Sequence, residues 1–140
     1  MTYRFILFIF LAIVYSQFIS CKKTEGEGGS ATITGKIYVK DYNGSFTSIN
    51  AQYYATKEDV FIIYGDQVTY GDKVSTNYDG TYEFKYLQKG KYKIYAYSKD
   101  STGAYNGTVN ANAAPKAIIE TVEISKKKEA VQAPEITILK

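Results

Sequence analysis

The sequence predicts an all-β protein, a single antiparallel β-sandwich of seven strands, from three observations. Apolar residues fall in short runs rich in tyrosine, isoleucine, valine and threonine, which are typical of strands. Glycine, asparagine and aspartate separate these runs, as turn residues do. No segment has the helical spacing of apolar residues, so nothing indicates alternating helices and strands around a parallel sheet.

The strands are predicted in order along the chain, each from an alternating or continuous apolar run bounded by turn residues. The segment 45–57 is ambiguous, since QYYAT within it fits either a short edge strand or a packed loop. The charged segment SKKKEA, with Lys126 to Lys128, is interpreted as a solvated turn between the last two strands. The seven predicted strands are 33–42, 59–66, 73–76, 81–87, 91–99, 116–125 and 134–139.

The core is predicted from period-two alternation, which sends successive side chains to opposite faces of a sheet. Asp79 and Gly80 form a strong turn signal, because glycine readily adopts a positive φ. The strand after this turn and the strand that follows it are expected to direct one set of side chains inward. That inward set is Tyr82, Phe84, Tyr86, Tyr92, Ile94 and Ala96.

The first 20 residues are predicted to be a secretory signal peptide. A short, positively charged start ending at Arg4 precedes the apolar run 5–14, which is much shorter than the about 20 residues of a membrane-spanning helix. The following FISC resembles the lipobox of bacterial lipoproteins, which implies cleavage before Cys21 and its acylation. The alternatives are a secreted protein with one stray cysteine or a short uncleaved anchor. Several acyl chains on one residue hold a protein stably to a bilayer.

Cys21 is the single cysteine of the chain, so no internal disulfide is possible. Residues 21–31 are polar and rich in glycine, and are predicted to be the lipidated cysteine and a flexible tether. Residues 32–140 are predicted to be the sandwich. Loss of the signal peptide removes Arg4 and leaves 16 basic and 14 acidic side chains, a net charge of +2. Such a balance argues against a nucleic-acid partner. The expected location is the outer membrane of a Gram-negative cell, with the periplasmic or cell-surface face left open.

The sequence resembles carboxypeptidase-regulatory-like, or transthyretin-like (prealbumin-like), sandwich domains over most of residues 32–139. This family combines a G-x-V strand, an apolar strand, a T-x-x-D-G-x-Y-x-F segment and an L-x-x-G-x-Y segment ending in alternating apolar residues. The insertion 44–57 departs from this pattern. Such a resemblance implies the fold more directly than the function. The function must be argued from the residues of a specific site. The matching positions are Gly35, Ile37, Val60 to Tyr64, Thr76, Asp79, Gly80, Tyr82, Phe84, Leu87, Gly90, Tyr92, Ile94 and Ala96.

Catalysis is not expected, and neither a cofactor nor a metal is predicted. The chain has no histidine, the commonest general base at neutral pH. The resemblance includes hydroxyisourate hydrolases, whose activity depends on histidine. No carboxylate pair suggests a glycosidase. Calcium could be bound by oxygen ligands at one end of the sandwich, but the candidates form no EF-hand motif and are interpreted as turn residues. These candidates are Asp41, Asn43, Asp79 and Asp100.

Tyrosines that alternate outward among lysines are the best candidates for a binding surface, because tyrosine is enriched at interfaces and packs against sugar rings. The competing interpretation is ordinary cross-strand pairing. Two non-catalytic functions follow: a scaffold with a protein partner in an envelope assembly, or a surface module that binds glycan. Asp100-Ser101-Thr102 is similar to a periplasmic O-glycosylation acceptor, which would place a glycan on Ser101. The candidate surface residues are Tyr38, Tyr53, Tyr54, Tyr95 and Tyr97.

Overall fold

The structure, a computed structural model, describes residues 24–102 and 113–140. The predicted signal peptide and Cys21 lie outside the described residues. Within them the chain forms strands and turns and no helix, which confirms the all-β class. The strands are β1 (Glu27–Tyr42), β2 (Ile49–Tyr54), β3 (Asp59–Tyr64), β4 (Asp72–Ser75), β5 (Thr81–Leu87), β6 (Gly90–Ser98), β7 (Lys116–Ile124), β8 (Ala130–Gln132) and β9 (Ile136–Leu139).

The strands form two sheets that share one core. The long strand β1 pairs with β2, β5, β8 and β9 in a five-stranded sheet, and the other sheet has the order β4-β3-β6-β7. Alternate residues of both sheets are buried, as expected where each sheet has one face inside. The largest fully buried side chains are Tyr82, Tyr92, Phe84, Ile33, Ile37, Ile62, Leu87, Ile94, Ile124, Ile136, Ile138 and Val39.

Nine strands are present in the described residues where seven were predicted. The additional strands are β2, an edge strand in the ambiguous insertion, and the three-residue β8. The sheets are also not purely antiparallel, because β8 and β9 run parallel to β1. The reason is the connection after β7. That strand ends where β1 begins, and the chain then crosses to the other sheet and runs beside β1 in the same direction.

The sandwich begins earlier than predicted, because β1 starts at Glu27 inside the segment assigned to the flexible tether. The amide of Gln88 donates to the carbonyl oxygen of Gly26 over 2.8 Å. A Cβ at Gly29 would lie 1.8 Å from the carbonyl oxygen of Leu87, so only glycine permits this close approach of the two strands. The glycines that suggested a flexible linker instead allow a strand to form.

Tyr86 does not join the core, in contrast to the predicted alternation. Its side chain is 70% exposed, and the next residue, Leu87, is buried instead. The backbone of Tyr86 has a φ of +58°, in the left-handed region. This conformation interrupts the extended strand, and the residue on the inner face changes from the even to the odd position.

Thr76, the first residue of the T-x-x-D-G segment, stabilises the connection between β2 and β3 through its side chain. It is buried, and its hydroxyl donates to the carbonyl oxygen of Ala55 at 2.7 Å and accepts from the amide of Glu58 at 2.9 Å. Replacement by valine keeps the shape but leaves both backbone groups without this partner. We expect Thr76→Val to lower the free energy of unfolding by about 2 kcal/mol, measured by urea denaturation.

Thr76→Ser is the matched control, because it keeps the hydroxyl and removes one methyl group. We expect the serine variant to lose about 1 kcal/mol, the transfer free energy of that methyl group. Equal stability of the valine variant and the wild type would show that these hydrogen bonds contribute nothing net.

Candidate functional site

The outer face of the four-stranded sheet carries a group of aromatic side chains. In β3, Val60 and Ile62 are buried, so alternation directs Phe61 outward. In β6, Ile94 and Ala96 are buried, so Tyr95 and Tyr97 also lie on the outer side. Because Phe61 is the register partner of Tyr95, the two central strands bring these rings together.

We call Phe61, Tyr70, Tyr95 and Tyr97 the aromatic face. Phe61 and Tyr95 are stacked, with ring centroids 4.9 Å apart and an angle of 12° between the planes. Tyr97 meets both edge-on, at 5.6 Å from Phe61 and 5.5 Å from Tyr95. Tyr70, in the turn between β3 and β4, meets Phe61 edge-on at 5.2 Å. These distances and angles are those of favourable aromatic pairs, so the four rings form one cluster.

Tyr95 supports this face but is not itself an exposed binding residue, which corrects the prediction. Its side chain is buried beneath its aromatic neighbours, although it points away from the core. Burial raises the pKa of its phenol, and the hydroxyl of Tyr97 adds to the increase. Tyr70 and Tyr97 are each about half exposed and present the accessible surface. Ile119, the register partner of Tyr95 on β7, extends that surface with another exposed apolar side chain.

Charged and polar groups border the aromatic face on β3 and β4. Lys73 forms an ion pair of 2.7 Å with Asp59, and its Nζ lies 5.9 Å from the ring centroid of Phe61. The hydroxyl of Ser75 donates to the other carboxylate oxygen of Asp59 at 3.1 Å. The hydrogen bond from Lys73 lowers the pKa of Asp59. The face therefore combines an apolar platform with hydrogen-bonding groups at its edge.

The other predicted tyrosines lie elsewhere. Tyr38 and Tyr54 are register partners on the five-stranded sheet, with ring centroids 5.4 Å apart in an edge-on arrangement. The Nζ of Lys36 lies 4.6 Å from the centre of the Tyr54 ring. Tyr53 is opposite the buried Val39, so it belongs to the other side of β2. The five tyrosines predicted as candidates therefore do not form one surface.

Sequence reasoning missed two members of the aromatic face. Phe61 was detectable, because alternation with the inward Val60 and Ile62 requires it to point outward. Tyr70 was not, because it lies in a turn without a period and its contact with Phe61 depends on the fold.

Two of the carboxylates considered for calcium, Asp79 and Asp100, are engaged in turns, whereas Asp41 lies in β1 opposite Ala51. One oxygen of Asp79 accepts from the amide and hydroxyl of Thr81, at 3.1 and 2.6 Å, and these bonds lower its pKa. Asp100 accepts in the same way from Thr102. The side-chain oxygen of Asn43 accepts from the amide of Thr47 at 2.9 Å, and its side-chain amide donates to the Thr47 hydroxyl at 2.8 Å. In the part of the chain that the structure describes, no three histidine, cysteine or acidic side chains converge as metal ligands. Ser101 is partly buried beside this Asp100 turn, and its glycosylation stays a prediction.

None of the described residues forms a helix with the length and apolar character needed to cross a membrane. Comparison of the sequence with established protein families and with curated proteins gives no match.

Among solved structures, two similar chains have 11% sequence identity to this one. One is from Pseudomonas aeruginosa and is described provisionally as a carbohydrate-binding protein. It has a TM-score of 0.45, and the alignment covers 82% of this chain and 91% of that chain. The other is (S)-allantoin synthase, with a TM-score of 0.40 and coverage of 79% of this chain and 42% of that chain. Similarities this distant do not bear on function.

Proposed function

We propose that this protein is a lipid-anchored envelope protein whose sandwich binds glycan through the aromatic face, without catalysis. The observation that carries the proposal is the cluster of Phe61, Tyr70, Tyr95 and Tyr97 on the outside of the four-stranded sheet. Acylation of Cys21, a Gram-negative outer-membrane location and membership of the transthyretin-like group are parts of the same proposal. They are supported by the FISC segment and by the spacing of the D-G and L-x-x-G motifs.

The chemistry of the face suits a sugar. The C–H groups on one side of a sugar ring pack against an aromatic ring, while its hydroxyls need hydrogen-bond partners at the edge. Tyr70 and Tyr97 provide exposed rings, and Asp59, Lys73 and Ser75 provide donors and acceptors beside them. The stacked Phe61 and Tyr95 support these rings from within the sheet, which limits the entropy lost on binding.

Two exposed rings are expected to carry most of the affinity. We expect the double variant Tyr70→Ala, Tyr97→Ala to bind its best polysaccharide about tenfold more weakly or worse, as loss of central aromatic contacts does in other interfaces. Binding is measured by affinity electrophoresis against a panel of neutral and acidic soluble polysaccharides, followed by titration calorimetry with the best one. Urea denaturation checks that the variant is folded.

Tyr78→Ala is the matched control, because Tyr78 is 88% exposed, lies in the turn before β5 and is not one of the four rings of the aromatic face. The control is expected to bind like the wild type. Equal losses in both variants, or no binding of any polysaccharide by the wild-type protein, would contradict the glycan proposal.

A protein partner in an envelope assembly is the second candidate for the same face. Ile119 favours it, since an exposed isoleucine beside tyrosines resembles the apolar centre of protein interfaces. A photo-reactive amino acid at position 97 would join a defined envelope protein to this chain in native membranes. The protein partner is favoured if this crosslink forms from position 97 and not from position 78, and if the wild-type protein binds no polysaccharide.

A further inference from the structure

Three turns come together at the end of the sandwich where β1 begins. They are the β3–β4 turn (65–71), the β5–β6 turn (88–89) and the β7–β8 turn (125–129). A cavity of about 510 Å³ is lined by the start of β1 and by side chains of the latter two turns, including Lys89 and Lys127. Glu25 packs against Gly65 and Gly90, which brings the first turn to the same end. We call this the β1-start end.

The chain is fixed to the β1-start end from Gly26 onward. The hydroxyl of Tyr92 accepts from the amide of Gly26 at 3.2 Å and donates to the carbonyl oxygen of Gln88 at 2.6 Å. The side-chain amide of Gln88 donates to the carbonyl oxygen of Glu27 at 2.8 Å. These bonds hold the first strand to the turn between β5 and β6.

Little chain separates this fixed point from the predicted anchor. Gly26 is five residues beyond Cys21. An extended chain spans at most about 3.5 Å per residue, so the two positions are within roughly 18 Å of each other. An acylated Cys21 would therefore keep the β1-start end next to the bilayer.

The β1-start end has groups that suit the surface of a membrane. Val68, in the β3–β4 turn, is 96% exposed. Lys89 and Lys126 to Lys128 are exposed on the other two turns. An exposed apolar side chain flanked by lysines matches the layered chemistry of a bilayer, whose phosphates lie above the acyl chains. Lysine ammonium groups donate strong hydrogen bonds to phosphate oxygens.

Two of the carboxylates at the same end accept hydrogen bonds from other groups of the protein. Glu27 accepts from the hydroxyl of Tyr64 at 3.3 Å, and Glu129 accepts from the amides of Ser125 and Lys126 at 2.7 and 2.8 Å. Glu25, Asp66 and Asp72 add negative charge at this end. The charges nearly balance, so the contact depends on individual lysine–phosphate bonds and the apolar side chain more than on long-range attraction.

We propose that the β1-start end rests on the membrane surface, with Val68 among the lipid headgroups and the lysines on lipid phosphates. The proposal rests on the lipid anchor of the proposed function and adds an orientation to it. The strands then rise from the membrane. Tyr97 is seven residues along β6 from Gly90, which places this residue roughly 20 Å above this end, at a rise of about 3.3 Å per residue, while Tyr70 lies in the β3–β4 turn nearer the membrane.

The orientation is tested on acylated protein in vesicles of phosphatidylethanolamine and phosphatidylglycerol. Val68→Cys is labelled with an environment-sensitive fluorophore, and Cys21 does not react because it is acylated. Tyr78→Cys, in a turn at the opposite end of the sandwich, is the matched control. We expect a blue-shifted emission at position 68 and quenching by nitroxide-labelled headgroups at least about threefold stronger than at position 78. Replacing Lys89 and Lys127 with glutamate is expected to reduce the quenching at position 68.

Two results would overturn the orientation. In the first, the intact mass proves acylation, but positions 68 and 78 show the same water-like emission and equal quenching. This result would overturn the orientation and leave the anchor in place. Absence of the acyl mass from protein made in a Gram-negative host would overturn the anchor and the orientation together.

Discussion

Gly35→Ala is expected to lower the free energy of unfolding by about 3 kcal/mol, the upper part of the usual range for an overpacked core. A Cβ at this position would lie 2.2 Å from the hydroxyl oxygen of Tyr82 and 2.4 Å from its Cζ. The Tyr82 ring has no free space to move into, because its side chain is 2% exposed and packs against Phe84 with ring centroids 6.0 Å apart. Relief of the contact therefore requires β1 and β5 to separate.

Tyr82→Phe separates the effect of the ring from that of its hydroxyl. The buried hydroxyl finds no hydrogen-bond partner among the described residues, and burial raises its pKa. Removing an unsatisfied buried polar group costs nothing, so we expect the phenylalanine variant to be as stable as the wild type or more stable by about 1 kcal/mol.

The double variant Gly35→Ala, Tyr82→Phe is expected to recover part of the loss. It removes the contact at 2.2 Å and keeps the one at 2.4 Å. All four proteins are compared by urea denaturation, and the coupling free energy between the two sites is the measured quantity. Additive effects would show that the hydroxyl of Tyr82 is not in contact with residue 35. A strongly destabilised Tyr82→Phe would show that the buried hydroxyl does have a hydrogen-bond partner.

The sequence alone was enough for the parts of the fold that depend on local rules. Alternation correctly placed Tyr82, Phe84, Tyr92 and Ile94 in the core, and Asp79-Gly80 correctly marked a turn. The long-range geometry of the fold could not be predicted from the sequence. The parallel pairing of β8 and β9 with β1 depends on where the chain crosses between sheets. The left-handed backbone of Tyr86 likewise has no local sign, because tyrosine rarely adopts it.

The aromatic face shows the same division. Alternation correctly directed Tyr95 and Tyr97 away from the core, but burial of Tyr95 depends on its register with Phe61 across β3 and β6. The sequence of one strand does not determine its register with a neighbouring strand that is 30 or more residues away in the chain, as β3 and β6 are. Tyr54, which pairs with Tyr38, lies in the insertion 44–57, whose structure was ambiguous in the sequence. Outward direction was therefore predictable, and which outward residues share a surface was not.

Cys21→Ser is expected to release the protein from membranes. The thiol of Cys21 is the single sulfhydryl in the chain, and serine has the same size but does not form the thioether on which the lipid is carried. Two or more acyl chains at about 0.8 kcal/mol per buried CH₂ would give the stable anchoring that we propose, and their loss would leave only the proposed weak contacts of the β1-start end. Fractionation of cells, a carbonate wash of the membranes and intact mass of the protein measure the result.

Ser20→Ala is the control for this change, since alanine preserves a small residue before the cleavage site and leaves Cys21 in place. The alanine variant is expected to remain in the membrane fraction with the acylated mass. Intact mass distinguishes a serine variant cleaved after the signal peptide from one that keeps residues 1–20 as a short uncleaved anchor. If Cys21→Ser resists the carbonate wash as the control does, acylation of Cys21 is not the anchor. The short distance from Cys21 to Gly26 would then place no restriction on the sandwich, and the β1-start end would have no reason to face the bilayer.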